Sequence, residues 1–199
     1  RSSNSNTLQN LTISGNSNTL ADNLAVAGDL DLSGSGLSAG VTTITMTSSS
    51  ATLIGGGNTV NNLTASSTGT ITATSSDLIV GGTFTIATST SLSINSGRTI
   101  TASTTLILNG TSTGAGRLTY LSTTTFPTNG TVSSILRFDS TNNNQTMPGR
   151  TYGGLVEVYA SSASARTITM ATGTYAFSTS VQIFANGSGS TTLDSSTNS

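Results

Sequence analysis

The sequence predicts an all-β protein, with a parallel β-helix or solenoid over residues 1–121 and an aromatic-richer, β-sandwich-like part over residues 122–199. Three observations carry that expectation. Apolar residues recur in short alternating triplets, no segment offers the i, i+3, i+4, i+7 stripe of an amphipathic helix, and strand centres return at a near-constant interval.

The triplets are Leu11-Thr12-Ile13, Leu24-Ala25-Val26, Leu30-Asp31-Leu32, Ile44-Thr45-Met46, Phe84-Thr85-Ile86 and Leu92-Ser93-Ile94. Side chains alternate across a strand with period 2, so each triplet puts two apolar groups on one side and a polar one on the other. Between them lie Gly, Asn and Ser clusters such as Gly55-Gly56-Gly57-Asn58 and Gly81-Gly82, which suit tight turns. From residue 63 onward the centres fall at Leu63, Ile71, Ile79, Phe84, Ser93, Ile100 and Ile107, so every third strand returns after roughly 21 residues, the spacing of a coiled rung rather than of hairpins. A longer similarity overlies this one. Thr7-Leu8-Gln9-Asn10-Leu11-Thr12 reappears as Thr59-Val60-Asn61-Asn62-Leu63-Thr64, and more weakly as Thr151-Tyr152-Gly153-Gly154-Leu155-Val156, which reads as a repeated module.

The second part is set apart by its aromatics. Of five Phe and four Tyr, all but Phe84 follow residue 117, as do both prolines, Pro127 and Pro148. Wide rings fill the roughly 10 Å gap between two packed sheets more readily than a thin interior of Leu, Ile and Val, hence the sandwich expectation and a boundary near residue 121. The prolines bracket residues 128–147, within which Asn142-Asn143-Asn144-Gln145 reads as an exposed loop.

Composition excludes several functions. Charged residues make up 7% of the chain, with six Arg, no Lys and seven acidic residues, so no basic field exists to hold a nucleic-acid backbone. Without Cys or His there is no disulfide framework, thiolate or imidazole metal site, Ser-His-Asp triad or Cys-His pair. The absence of Lys also removes the amine that Lys–Asn isopeptide-stapled surface domains require. Apolar runs such as Leu106-Ile107-Leu108 are far short of the ~20 residues of a membrane-spanning helix. The opening Arg and the Ser-, Thr- and Asn-rich last residues read as those of a processed or truncated product.

The acidic groups Asp22, Asp29, Asp31, Asp77, Asp139, Glu157 and Asp194 are scattered. Asp29 and Asp31 share one strand side and with Asp22 form the one conceivable calcium cluster, though a solvated strand side is the commoner use of such a pair. No catalytic, cofactor-binding or metal-ligating residue is nominated, and the chain is expected not to be an enzyme. Thr-x-Thr recurs at Thr43-Ile44-Thr45, Thr70-Ile71-Thr72, Thr83-Phe84-Thr85, Thr99-Ile100-Thr101 and Thr167-Ile168-Thr169. Stacked rungs would turn these into a flat array of hydroxyls and methyls similar to that of ice-binding solenoids, against which stands the high β propensity of Thr as plain strand material. Asn-x-Ser/Thr acceptors begin at Asn10, Asn62, Asn109, Asn129, Asn144 and Asn186, about as many as chance supplies in so Ser- and Thr-rich a chain.

At Asn10-Leu11-Thr12-Ile13-Ser14-Gly15, Gly28-Asp29-Leu30-Asp31-Leu32 and Gly82-Thr83-Phe84-Thr85-Ile86 the chain resembles the repetitive β-solenoid regions of large bacterial surface proteins, filamentous haemagglutinin-like adhesins and autotransporter passengers. The resemblance covers mostly residues 1–121. It implies secretion, a right-handed parallel β-helix and a role as stalk or adhesin. The expected function is therefore an extracellular structural one at the cell surface, a segment or subunit of a self-assembling filament, with a glycan- or host-binding adhesin and an ice-binding solenoid as alternatives. The expected partner is the chain itself, head-to-tail or by strand addition through residues 1–8 and 188–199, with glycans or a cell surface as further partners and neither nucleic acid nor a membrane span.

Overall fold

The computed structural model describes residues 7–15, 18–34, 37–38, 40–160, 163–185 and 189–194. They form an all-β solenoid of about eight turns, without a helix, in which every ladder is parallel. The turns stack their strands into three main faces. Face one stacks Thr7–Leu8, Leu24–Val26, Thr43–Met46, Asn62–Ala65, Thr83–Ile86 and Thr105–Leu108. Face two runs from Leu11–Thr12 through Leu30–Asp31, Ser50–Ile54, Thr70–Ala73, Ser91–Ile94 and Thr111–Thr113 to Thr131–Val132. Face three runs from Thr59–Val60 through Leu78–Val80, Thr99–Ala102, Arg117–Tyr120, Ile135–Asp139 and Val156–Ala160 to Val181–Ala185.

The period-2 pattern sets which residues are inside. On face one, Ile44, Leu63, Phe84 and Leu106 stack in register, and Met46, Ala65, Ile86 and Leu108 form a parallel column, all buried. On face three the inward columns are Leu78, Ile100, Leu118, Leu136 and Val156, and Val80, Ala102, Tyr120, Phe138 and Val158. A slip of one residue would turn a whole column outward, so the apolar alternation fixes the register.

The period read from the sequence is the period of the coil: Leu63 pairs with Phe84, and the Asn62 side chain bonds the backbone of Thr83, 21 residues on. The longer repeat is not structural. Its copies fall on three different positions of the coil, with Thr7–Leu8 on face one, Thr59–Val60 on face three, and Thr151–Tyr152 following face two beside Thr131–Val132. What repeats is the local pattern of turn and strand, which recurs at every corner.

The sandwich-like second part is corrected to a continuation of the solenoid. Parallel ladders cross residue 121 on faces two and three, pairing Thr111 with Thr131 and Leu118 with Leu136. At residue 121 face one is interrupted: residues 121–130 form no strand, and the direction resumes with Gln145–Met147, Arg166–Met170 and Thr191–Asp194. The ladder of face two ends one step later at Thr131–Val132, beyond which Thr151–Tyr152 and Ala176–Phe177 pair as a separate two-stranded sheet. At that level the interior is filled by rings. Phe126 lies edge-on to Tyr120 at 5.2 Å and meets Phe138 at 5.3 Å, all three fully buried. Tyr120 donates its hydroxyl to the Thr124 carbonyl, and Tyr152 donates to that of Pro148, so wide side chains are accommodated without a second sheet. Within the proline bracket, Asn142 and Asn144 are exposed as expected, whereas Gln145 is buried in a strand and donates to the carbonyls of Tyr120 and Ser122. Of the proposed strand-adding tails, Thr7–Leu8 already pairs with Ala25–Val26 and Thr191–Asp194 with Arg166–Thr169; residues 1–6, 188 and 195–199 lie outside the described residues.

Candidate functional site

Three of the aspartates serve the backbone. Asp29 accepts the Thr52 N–H at 2.7 Å, Asp31 turns back to the Ser33 N–H at 2.8 Å, and Asp77 accepts the Thr99 N–H at 2.8 Å, while Asp22 is exposed. Asp29 and Asp31 are thus drawn to separate donors. Among the described residues no group of three or more His, Cys, Asp or Glu is placed to hold a metal ion.

These bonds belong to a larger device that residue-type searching missed. Asn10, Asn23, Asn62 and Asn144 likewise accept an N–H from the next turn, those of Asp29, Thr43, Thr83 and Thr167, at 2.7–3.0 Å. Each Asx stands at a corner, where the ladder leaves backbone donors without a strand partner, and its side chain supplies the missing acceptor. The sequence signal, which Asn10 alone of these lacks, is an Asx followed about one turn later by the first Thr of a strand. Asn62→Ala removes such an acceptor, and the expected loss is about 1 kcal/mol in denaturant unfolding. Three of the Asn-x-Ser/Thr sites, Asn10, Asn62 and Asn144, are therefore corner residues; Asn109 and Asn129 are exposed, and Asn186 lies outside the described residues.

One charge cluster sits on face three. Arg117, Arg137 and Glu157 come from three successive turns: Arg117 Nε donates to Glu157 Oε2 at 2.8 Å and its Nη2 to Oε1 at 3.1 Å, while Arg137 Nε donates to Oε2 at 2.7 Å. Arg137 also lies over the Tyr159 ring, 4.3 Å from its centroid. Burial by itself pushes the Glu157 carboxyl up, but the hydrogen bonds and charges of the two guanidinium groups outweigh it and hold the pKa below its ordinary 4.5. A depressed folded-state pKa gives stability that is complete above the unfolded value and is lost as the pH falls through the folded one. Glu157→Gln is therefore expected to lower the urea midpoint at pH 7, and the difference from the wild type to shrink as the pH is taken progressively below 4.5, which denaturation over a series of acid pH values checks.

The five Thr-x-Thr segments do not form one lattice. Thr43/Thr45 and Thr83/Thr85 lie on face one, Thr70/Thr72 on face two, Thr99/Thr101 on face three, and Thr167/Thr169 in the strand that resumes the direction of face one. Yet face two carries a hydroxyl ladder, because Ser alternates with Thr. Ser50, Thr70, Ser91, Thr111 and Thr131 stack in register, and beside them Thr52, Thr72, Ser93 and Thr113. Threonine alone marks two of its rungs, Thr70/Thr72 and Thr111/Thr113.

The ladder ends at a cleft of about 380 Å³ lined by Thr128, Gly130, Thr131, Ser133, Arg150, Thr151 and Gly153. Arg150 is fastened there: Nη1 donates to the carbonyls of Pro127 at 2.6 Å and Asn129 at 3.1 Å, and Nη2 to that of Gly130 at 2.7 Å. Its guanidinium carbon stands 5.7 Å from the ring centroids of both Phe126 and Tyr152. Desolvation lowers the Arg150 pKa, and desolvation raises that of Tyr152 despite the neighbouring positive charge. Among the described residues no carboxylate forms a salt bridge with Arg150, in contrast to Arg117 and Arg137.

The fold defines the chain as a parallel β-solenoid repeat protein. No protein-family model matches it, and neither a curated protein nor a solved structure gives a significant match.

Proposed function

We propose that this chain is a non-catalytic structural segment or subunit of a self-assembling extracellular filament or stalk at a bacterial surface. The observation that carries the reading is the open edge of face three. Val181–Ala185 is the outermost strand there, its far edge has no ladder partner among the described residues, and it contains neither charge nor proline to blunt that edge. Ile183 continues the inward column above the fully buried Val158, yet it is 54% exposed. A further turn, from another copy or from the same polypeptide, would cover it by continuing the same parallel ladder. At the other end Leu8, in the outermost strand of face one, is 41% exposed. A head-to-tail contact between such unlike ends does not close on itself and so propagates. The sparse charge and hydroxyl-rich surface support an extracellular setting.

Sedimentation over a concentration series, with electron microscopy of the same samples, tests the proposal. Concentration-dependent growth into filaments is expected, suppressed in Ile183→Lys. A chain that remains monomeric at every concentration and forms no filaments would overturn the self-assembling reading.

A further inference from the structure

Beyond assembly, the Arg150 cleft and the hydroxyl ladder that leads from it have the chemistry of a ligand site. We propose that the cleft binds the carboxylate of an acidic sugar, and that the linear polysaccharide carrying it lies along face two on the hydroxyl ladder.

The cation comes first. Arg150 is partly desolvated, and three of its five N–H groups are committed to backbone carbonyls, which fix the guanidinium plane without neutralising its charge. Buried charges are normally paired, and in this chain two other arginines share Glu157. An N–H of Nη2 remains for an incoming anion, and a charge-assisted bond from a pre-organised guanidinium is among the strong hydrogen bonds.

The walls restrict what the anion is attached to. Thr128, Thr131, Ser133 and Thr151 offer neutral hydroxyls that both donate and accept, as sugar hydroxyls require. The volume, about 380 Å³, lies at the small end of ligand pockets, suited to a unit the size of one sugar ring rather than a folded partner. From Thr131 the two hydroxyl columns then run back over four further rungs to Ser50 and Thr52, spaced about 4.8 Å along the axis. That regular, uncharged track suits a polymer with recurring hydroxyl and C–H faces. A nucleic acid would require a cation for each of several phosphates, and among the described residues the track offers Arg150 alone.

Titration calorimetry of the full chain with otherwise neutral oligosaccharides of increasing length that carry a single uronic acid, beside their methyl esters, tests the proposal. Binding is expected to tighten with length, and to weaken about tenfold on esterification, the size of one lost charge-assisted bond. Thr131→Glu places a carboxylate in the cleft from an exposed strand position without touching Arg150, and is expected to abolish binding while leaving the circular-dichroism spectrum unchanged. Thr72→Val with Ser93→Ala is expected to remove the gain with length and to retain the short-oligomer affinity. Each of four results would overturn the proposal: no binding, equal binding of the esters, wild-type binding by Thr131→Glu, or binding of inorganic phosphate as tight as that of the longest oligomer. Ice shaping by a chain that ignores the uronates would likewise give face two to a different lattice. Filament growth in Thr131→Glu separates this outcome from that of the assembly reading.

Discussion

Phe138→Ala is expected to lower the unfolding free energy by about 3–5 kcal/mol, the range for truncating a fully buried phenylalanine. The upper part of that range is favoured by the site. Phe138 meets Phe126 at 5.3 Å, Tyr120 at 6.2 Å and Tyr152 at 6.5 Å, so its removal strips three rings of their partner at the level where face one has no strand. The neighbours cannot collapse into the space easily, because the hydroxyls of Tyr120 and Tyr152 are tied to backbone carbonyls at 2.7 and 2.8 Å. In a solenoid each turn is stabilised by its neighbours, so a cavity here should also loosen the coupling between the turns on either side. Urea unfolding measures the loss, and Ile107→Ala is the control: Ile107 is 41% exposed and points outward on face one, so its truncation is expected to change stability by no more than about 0.5 kcal/mol.

The second large effect is expected at a turn. Gly56 has φ +64°, and a Cβ built on it would lie 1.9 Å from the Leu32 carbonyl oxygen, a backbone atom of the neighbouring turn. The adjacent Gly57 has φ +70°, yet its Cβ would meet nothing within 4 Å. Both positions impose the left-handed penalty of roughly 1–2 kcal/mol on an L-residue, but only Gly56 adds overpacking, itself about 1–3 kcal/mol. Gly56→Ala is therefore expected to cost about 2–5 kcal/mol and Gly57→Ala about 1–2. Equal losses for the two would mean that the turns are not in the close contact described.

These two sites also mark what the sequence made legible. The alternation at Thr43–Met46, Thr83–Ile86 and Thr99–Ala102 was readable because one face of each strand is buried and the other wet, and the return interval was readable because a coil repeats its corner chemistry. The aromatic residues after 117 pointed to a change that is real but smaller than expected: one face loses a strand and rings take its place, while the ladders at Thr111 and Leu118 continue. Composition cannot distinguish a gap between two sheets from a widened interior, since both reward wide side chains. The corner bonds of Asn62 and Asp77 were hidden because donor and acceptor are a full turn apart. The hydroxyl ladder was hidden because Ser91 and Ser93 serve the same role as Thr70 and Thr72 under a different letter. Arg150 carried no signal at all, because its partners are carbonyls at Pro127, Asn129 and Gly130, brought to it by the preceding turn.

Continuity of the coil across residue 121 is the claim on which the Phe138 cluster, the ladder and the cleft all rest. The chain has no cysteine, so an engineered pair reports without interference. Thr111 and Thr131 are register partners on adjacent turns of face two, within the span a disulfide bridges, while Ser91 and Thr131 are two turns apart, about 9–10 Å, and beyond it. Thr111→Cys with Thr131→Cys is expected to close an intramolecular disulfide under mild oxidation, and Ser91→Cys with Thr131→Cys to stay reduced. Closure of the second pair without the first would contradict the continuous parallel solenoid.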